Sequence, residues 1–179
     1  MTLPLPRITL VLGGARSGKS RYAEMLVREA GGGIYLATAE ALDDEMASRI
    51  ARHRAERGDG WTTIEAPLEL AAALEDGARQ GRPILVDCLT LWLSNLMGAG
   101  CAVQPATTHL IATLKTLPVP VVLVSNEVGQ GIVPDNALAR AFRDEAGRLN
   151  QAIAAVSGQV VFLIAGLPLT LKGEAAQPF

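Results

Sequence analysis

The fold of this chain is decided by the stretch Gly13-Gly14-Ala15-Arg16-Ser17-Gly18-Lys19-Ser20. The stretch fits the pattern G-x-x-x-x-G-K-[ST] in full, with an aliphatic run at 8–12 before it and helical spacing at 21–29 after it. Its glycines let successive backbone N–H groups turn toward an anion, and the start of the following helix adds partial positive charge. We therefore predict a phosphate-binding loop (P-loop) that holds a nucleoside triphosphate.

Two side chains of this loop and one acidic residue farther along are predicted to hold the phosphates and their metal ion. Lys19 can reach the β- and γ-phosphates, and the Ser20 hydroxyl can ligate Mg²⁺. A second metal ligand is expected at the end of a neighbouring strand, where Asp87 follows the aliphatic residues 84–86. The alternative for Asp87 is that it caps the helix predicted at 88–97.

Short apolar segments alternate with helical ones along the chain. Buried strands are predicted at 8–12, 34–37, 84–86, 121–124 and 160–164. Helices are predicted at 21–29, 68–79, 88–97 and 136–156; in the last, Leu138, Phe142, Ala146, Leu149 and Ile153 form one apolar stripe. This alternation predicts an α/β fold, a mostly parallel sheet flanked by helices. We expect a loop at 98–105, one domain at 1–173 and a short tail at 174–179.

Composition narrows the class of function. A chain of 179 residues suits one core, and a net charge of −2 gives no electrostatic footprint for nucleic acid or an anionic membrane. Cys88 and Cys101 fit no zinc template, and so few cysteines suit a reducing compartment. The apolar run at 8–12 is too short to span a membrane. We expect a cytoplasmic protein.

A helix predicted at 42–57 has one face that is apolar at its start and basic toward its end. Apolar residues begin this face, and Arg49, His53 and Arg57 continue it. Nearby cations disfavour the imidazolium, so His53 is expected to be neutral and nucleophilic beside phosphates that the arginines hold. The alternative is a helix end whose basic residues are solvated or interact with the helix dipole. The residues alone favour neither interpretation.

Five blocks of sequence resemble one family of enzymes. They are GGARSGKSR at 13–21, LDDEM at 42–46, RIARH at 49–53, SNEVGQGIVP at 125–134 and FRDEAGRLN at 142–150. Any P-loop protein would supply the first block, whereas the last two are far more specific. From about residue 8 to residue 172, the chain resembles the bifunctional adenosylcobinamide kinase/adenosylcobinamide-phosphate guanylyltransferase family.

The resemblance implies a single RecA-like P-loop NTPase domain, a homotrimer and two reactions of cobalamin nucleotide-loop assembly. In the first reaction, ATP or GTP phosphorylates the aminopropanol hydroxyl of adenosylcobinamide. In the second, GTP donates GMP to the enzyme and then to adenosylcobinamide phosphate, which gives adenosylcobinamide-GDP and pyrophosphate. The family's covalent carrier is the histidine of its Arg-Ile-x-x-His motif, and here that residue is His53.

The resemblance also implies nucleotide contacts outside the P-loop. They are Ala37, Thr38, Ala39, Arg54, Ala55, Glu56, Arg57, Glu65 and Asp87. Some relatives carry glutamate where this chain has Asp87. The shorter carboxylate keeps the charge, and its contact can be to metal, to water or to ribose.

Two other functions are compatible with a P-loop. One is a small-molecule kinase without guanylyl transfer, in which His53 only binds phosphate. The other is a GTP switch, which reads guanine through an Asn-Lys-x-Asp loop. Residues 125–128 lack that lysine and aspartate, and the D-x-x-G at 144–147 lies inside a predicted helix. The sequence therefore disfavours the switch.

Overall fold

A computed structural model describes residues 5–39 and 60–175, so the helix predicted at 42–57 lies outside the described residues. The strands within these ranges are β1 (Ile8–Gly13), β2 (Gly33–Ala37), β3 (Trp61–Glu65), β4 (Ile84–Asp87), β5 (Val121–Asn126), β6 (Gln159–Ile164) and β7 (Leu167–Lys172). The helices are α1 (Lys19–Glu29), α2 (Leu70–Ala78), α3 (Leu89–Gly98), α4 (Val103–Thr116) and α5 (Ala137–Val156).

The seven strands form one sheet in the order β3-β2-β4-β5-β1-β6-β7. All neighbouring strands are parallel except β6 and β7, which are antiparallel. One strand, β5, therefore separates the P-loop strand β1 from β4, the strand that ends in Asp87. This topology confirms the predicted α/β class and mostly parallel sheet, and it agrees with the P-loop fold that the resemblance implies.

Side chains of the buried strands alternate between two apolar cores, one on each face of the sheet. On the first face, α1 packs against β1, β4 and β5 and buries Tyr22, Ala23 and Val27. On the second face, side chains of α2, α3, α4 and α5 share a core with the even-numbered residues of β1. We call these the α1 face and the opposite face. No helix among the described residues is long and apolar enough to cross a membrane.

Two strands were not predicted from the sequence, and both lie at edges of the sheet. The strand β3 is only partly buried and contains two threonines, so its apolar content is low. The strand β7 contains Pro168, and proline is confined to edge strands because it cannot donate to a central ladder. These segments are strands because they pair with β2 and β6. The apolar content of each segment alone does not predict this pairing.

Within the described residues, the helix predictions are confirmed with three corrections. The loop expected at 98–105 is too long, because α4 already begins at Val103. Asn136 is the N-cap of α5, its side chain accepting a hydrogen bond from the Ala139 N–H at 2.7 Å. In the apolar stripe of that helix, Ala146, Leu149 and Ile153 are buried, but Leu138 is 71% exposed. The first turn of α5 thus extends beyond the core. By contrast, α3 is a core helix and buries Leu89, Thr90, Trp92, Leu93 and Leu96.

Gly33, the first residue of β2, packs closely against α1 and against the end of the loop that connects α2 to β4. A Cβ at this position would clash with the Pro83 carbonyl oxygen and lie 2.9 Å from Val27 Cγ1. We expect Gly33→Ala to lower the free energy of unfolding by about 1–3 kcal/mol through overpacking, measured by urea denaturation. Gly147→Ala is the matched control: nothing lies within 4 Å of its Cβ, and alanine favours the interior of α5, so stability should not fall.

Candidate active site

The P-loop connects β1 to α1 through a tight backbone turn. Gly18 has φ 94° and Arg16 has φ 57°, both in the left-handed region that glycine adopts most easily. The Ser17 N–H donates to the Gly14 carbonyl at 3.3 Å, and Lys19 Nζ donates to the same oxygen at 3.3 Å. The Lys19 side chain therefore folds back over the loop, whose last residues start an eleven-residue helix.

The P-loop is held in place by contacts with β6 and with the turn that follows β6. A Cβ on Gly13 would clash with Ser17 Oγ and lie 2.8 Å from the Leu163 carbonyl oxygen, so only glycine fits there. The Gly166 N–H, in the β6–β7 turn, donates to the Ser17 carbonyl at 3.0 Å. Distant parts of the chain thus shape the loop that the motif predicted.

Strand register places the predicted site residues along one edge of the sheet. Asp87 pairs with Ala37 on one side and Val124 on the other, and Ala37 pairs in turn with Glu65. The carboxyl ends of parallel strands form the crevice in which such folds bind ligands. Leu85 belongs to the core of the α1 face, so Asp87, two residues on, is directed to the same face as the helix that starts at Lys19.

Asp87 is oriented by a residue that the sequence did not point to. The Tyr35 hydroxyl donates to Asp87 Oδ2 at 2.9 Å, and the Tyr35 ring makes an edge-to-face contact with Trp61 at 6.2 Å. The N-cap of α3 is Cys88, with no side-chain cap hydrogen bond, so the alternative that Asp87 caps this helix is wrong. The signal for Tyr35 is its position: it lies two residues before Ala37 and on the same face.

Thr38 joins the ends of β2 and β4. Its fully buried hydroxyl donates to the Cys88 carbonyl at 2.7 Å and accepts from the Cys88 N–H at 2.8 Å. The Asn95 side chain, from α3, donates to the Thr38 carbonyl at 2.8 Å. Because the hydroxyl is engaged on both sides by the backbone, Thr38 fixes the peptide that follows Asp87.

The Cys88 thiol reports the charges around the end of β4. Burial raises its pKa to about 11, and the negative charge of Asp87 adds to this rise, while the positive charge of Lys19 opposes it. Cys88 is therefore a neutral thiol near pH 7 and not a nucleophile. The charge of Lys19 is thus part of the electrostatic environment at the end of β4.

The residues of this site fit a Mg²⁺–nucleotide complex. The described parts of the chain contain no group of three or more His, Cys, Asp or Glu that could hold a metal unaided. Magnesium is usually held by one or two protein ligands together with substrate phosphates. Ser20, in the first turn of α1, and the carboxylate of Asp87, the last residue of β4, carry oxygen atoms of the kind that such a complex would use.

The structure describes only part of the predicted site. The P-loop, Ala37, Thr38, Ala39, Glu65 and Asp87 lie within the described residues. The predicted nucleophile His53 and the segment 54–57 lie outside them.

The comparisons with known proteins fit this site. The family model for cobinamide kinase / cobinamide phosphate guanyltransferase matches residues 9–171. The chain belongs to this family. The match takes in every described residue that the sequence assigned to the nucleotide.

Curated relatives of the family cover nearly the whole chain. Bifunctional adenosylcobalamin biosynthesis protein CobP of Pseudomonas aeruginosa is 52% identical over 92% of this chain and 97% of its own length. Bifunctional adenosylcobalamin biosynthesis proteins CobU of Salmonella typhimurium and Escherichia coli are 41% and 39% identical, each over 91% of this chain and 98% of its own length.

Tyr35→Phe tests the hydrogen bond that orients Asp87. Removing the hydroxyl leaves the half-buried carboxylate without this donor, so the free energy of unfolding at pH 7 should fall by about 1.5–3 kcal/mol. Thr108→Val is the control, since it removes a hydroxyl that bonds only within the exposed face of α4, and should change stability by less than about 0.5 kcal/mol. Equal urea midpoints for wild type and Tyr35→Phe would contradict the role given to this hydrogen bond.

Proposed function

We propose that this chain phosphorylates adenosylcobinamide and then transfers GMP from GTP to adenosylcobinamide phosphate, giving adenosylcobinamide-GDP and pyrophosphate. The observation that carries the proposal is a complete P-loop facing Asp87 across the carboxyl ends of the sheet, in a member of the cobinamide kinase / cobinamide phosphate guanyltransferase family. Three relatives whose names include adenosylcobalamin biosynthesis, each described as bifunctional, support it.

The kinase step uses the P-loop as a phosphate clamp. Lys19 Nζ, which bonds to the loop's own Gly14 carbonyl, turns to the β- and γ-phosphates when ATP or GTP binds. The loop N–H groups and the start of α1 hold the remaining phosphate oxygens. Bound Mg²⁺, held by Ser20 and Asp87, would neutralise charge on the phosphates. Tyr35 keeps the Asp87 carboxylate directed toward the crevice.

The guanylyl step passes through a covalent intermediate on His53. A ring nitrogen of His53 attacks the α-phosphorus of GTP, the bond to the β-phosphate breaks, and pyrophosphate leaves. A phosphate oxygen of adenosylcobinamide phosphate then attacks the same phosphorus and frees the histidine. Support comes from the sequence Arg49-Ile-Ala-Arg-His53, which matches the family motif, and from the basic residues beside it.

The other site residues are assigned to nucleotide binding. Ala37, Ala39 and Glu65 lie at the edge of the crevice beside Asp87, and Thr38 contributes by fixing the backbone there. Residues 54–57 extend the basic segment after His53. We also propose that residues 1–173 act as one domain with a tail at 174–179, in agreement with one sheet whose last strand ends at Lys172, and that the protein is cytoplasmic.

Replacing His53 with asparagine tests the covalent step. We expect wild-type protein incubated with GTP to gain the mass of GMP, and His53→Asn to gain none, by intact-protein mass spectrometry. His109 is the only other histidine, exposed on α4, so His109→Asn is the matched control and should form the adduct. An adduct on the His53→Asn variant would mean that another residue carries the GMP group, which contradicts the role given to His53. If wild-type protein forms no adduct, a simple kinase is favoured.

A homotrimer is proposed on the resemblance and on an uncovered apolar surface. Ile164 pairs with Leu167, and Phe162 pairs with Leu169, so these side chains share the opposite face at the β6–β7 edge. Ile164, Leu167 and Leu169 are 55%, 70% and 52% exposed. No described element covers this apolar edge face, and contiguous apolar surface of this kind is typical of protein interfaces.

A double variant of the apolar edge face tests the assembly. Leu167→Asp with Leu169→Asp would bury two charges in the interface, so we expect light scattering after size exclusion to give a trimer for wild type and a monomer for the variant. Ile132→Asp, at a 97% exposed apolar residue in the loop after β5, is the control and should leave the trimer intact. A monomeric wild type contradicts the trimer, and a trimeric double variant contradicts this interface.

A further inference from the structure

The backbone of Asn126, the last residue of β5, is held by side chains from two helices. Its N–H donates to Thr90 Oγ1, in α3, at 2.7 Å. Its carbonyl accepts from Asn150 Nδ2, in α5, at 3.1 Å. The buried Ser125 hydroxyl completes the network by donating to Asn150 Oδ1 at 2.7 Å. These three polar side chains pair both backbone groups of Asn126 and so fix the end of β5.

The network fixes Asn126 between the P-loop and Asp87. Asn126 pairs with Gly13, the first residue of the loop, and the next N–H, of Glu127, donates to the Gly13 carbonyl at 3.1 Å. Val124 belongs to the core of the α1 face, so the Asn126 side chain is directed to that face, as Asp87 is. The strand β5 lies between β1 and β4, which places this carboxamide between the two sides of the phosphate site.

One atom of this carboxamide has no hydrogen-bond partner in the part of the chain that the structure describes. Asn126 Oδ1 is buried, and no hydrogen bond to it is found among residues 5–39 and 60–175. A buried acceptor without a donor costs about 1–3 kcal/mol. Thr9, Ser17 and Thr107 also carry such oxygens in these ranges, but Asn126 Oδ1 is the one that lies between the P-loop and Asp87. Its missing partner must be a donor. Phosphate oxygens of ATP or GTP are acceptors and cannot fill this role, whereas an alcohol O–H can.

We propose that Asn126 is a catalytic residue of the kinase step, and that its Oδ1 accepts a hydrogen bond from the alcohol that is phosphorylated. The inference rests on the proposed function, whose first reaction uses an alcohol acceptor. The bond directs the alcohol oxygen at the γ-phosphorus held by the P-loop. A bond then forms between these two atoms, the bond from the γ-phosphorus to the β–γ bridging oxygen breaks, the nucleoside diphosphate leaves with the electron pair, and the alcohol proton passes to water.

The two reactions of the family distinguish this role from a role in nucleotide binding, metal binding or folding. Guanylyl transfer begins with adenosylcobinamide phosphate, whose alcohol oxygen is already esterified and carries no proton. That step therefore has no use for the Asn126 acceptor. A residue needed for nucleotide binding, for the metal or for folding would affect both reactions, whereas Asn126 is expected to affect the kinase reaction alone.

The experiment measures both reactions on Asn126→Ala, and on Asn126→Ser as a second variant with a polar side chain too short to reach. We expect the kinase kcat/KM for adenosylcobinamide to fall roughly 100-fold, with the KM for ATP unchanged. Guanylyl transfer to preformed adenosylcobinamide phosphate and the GMP adduct should stay at wild-type levels. Asn136→Ala, which removes the α5 N-cap, is the matched control for loss of stability and should lower neither reaction.

Two results would overturn the inference. One is a kinase reaction that is unimpaired in both Asn126 variants. The other is an equal loss in kinase and guanylyl transfer, which would make Asn126 a nucleotide-binding or structural residue. Wild-type protein that lacks both reactions would instead refute the proposed function, so the two failures are distinguishable.

Discussion

Parallel pairing between β1 and β5 is the constraint on which the rest of this structure depends. Its last pair joins Gly13 to Asn126, and the Glu127 N–H closes the ladder on the Gly13 carbonyl at 3.1 Å. The P-loop starts at the end of this ladder, so a shift of register by one residue would move the loop relative to every other strand end. It would also direct Asn126 to the opposite face, because side chains alternate along a strand. Pairing of β5 with β4 then sets the position of Asp87 relative to the loop.

Buried polar groups reinforce this edge of the sheet where apolar packing cannot. Tyr35 orients Asp87, Thr38 bonds both the N–H and the carbonyl of Cys88, and Ser125 and Asn150 support Asn126. Each buried polar group costs free energy unless it is paired, and nearly all of these are paired within the protein. Among the described residues, four buried side-chain oxygens are unpaired: Ser17 Oγ within the P-loop, Asn126 Oδ1 beside it, and the hydroxyl oxygens of Thr9 and Thr107, which lie elsewhere in the fold. The paired groups hold the strand ends in place around the site.

The two faces of the sheet differ in role: the opposite face carries most of the core, and the α1 face carries the site residues. Four of the described helices cover the opposite face and build most of the core, while α1 covers the face on which Asp87 and Asn126 lie. Beyond α5, that helix-covered face ends in the apolar edge of β6 and β7, which no described element covers. The same hairpin also supports the P-loop through Gly166 and Leu163. An assembly built on this edge would therefore lie close to the phosphate site, and oligomer state and loop conformation would be coupled.

The sequence by itself determined the P-loop, the α/β class, the central strands and the family, because each rests on local spacing and on residues that are adjacent in the chain. It also placed Asp87 at a strand end and favoured a metal ligand there, with a helix cap as the alternative. Only the tertiary structure excluded the cap, because Cys88 is the N-cap of α3. It also showed that Asp87 is oriented by the Tyr35 hydroxyl, from another strand 52 positions away. Tertiary structure likewise decided the edge strands β3 and β7, the exposure of Leu138, and the support of Asn126 by Thr90 and Asn150. Each of these depends on which segments become neighbours in the sheet, and a local pattern carries no record of that pairing.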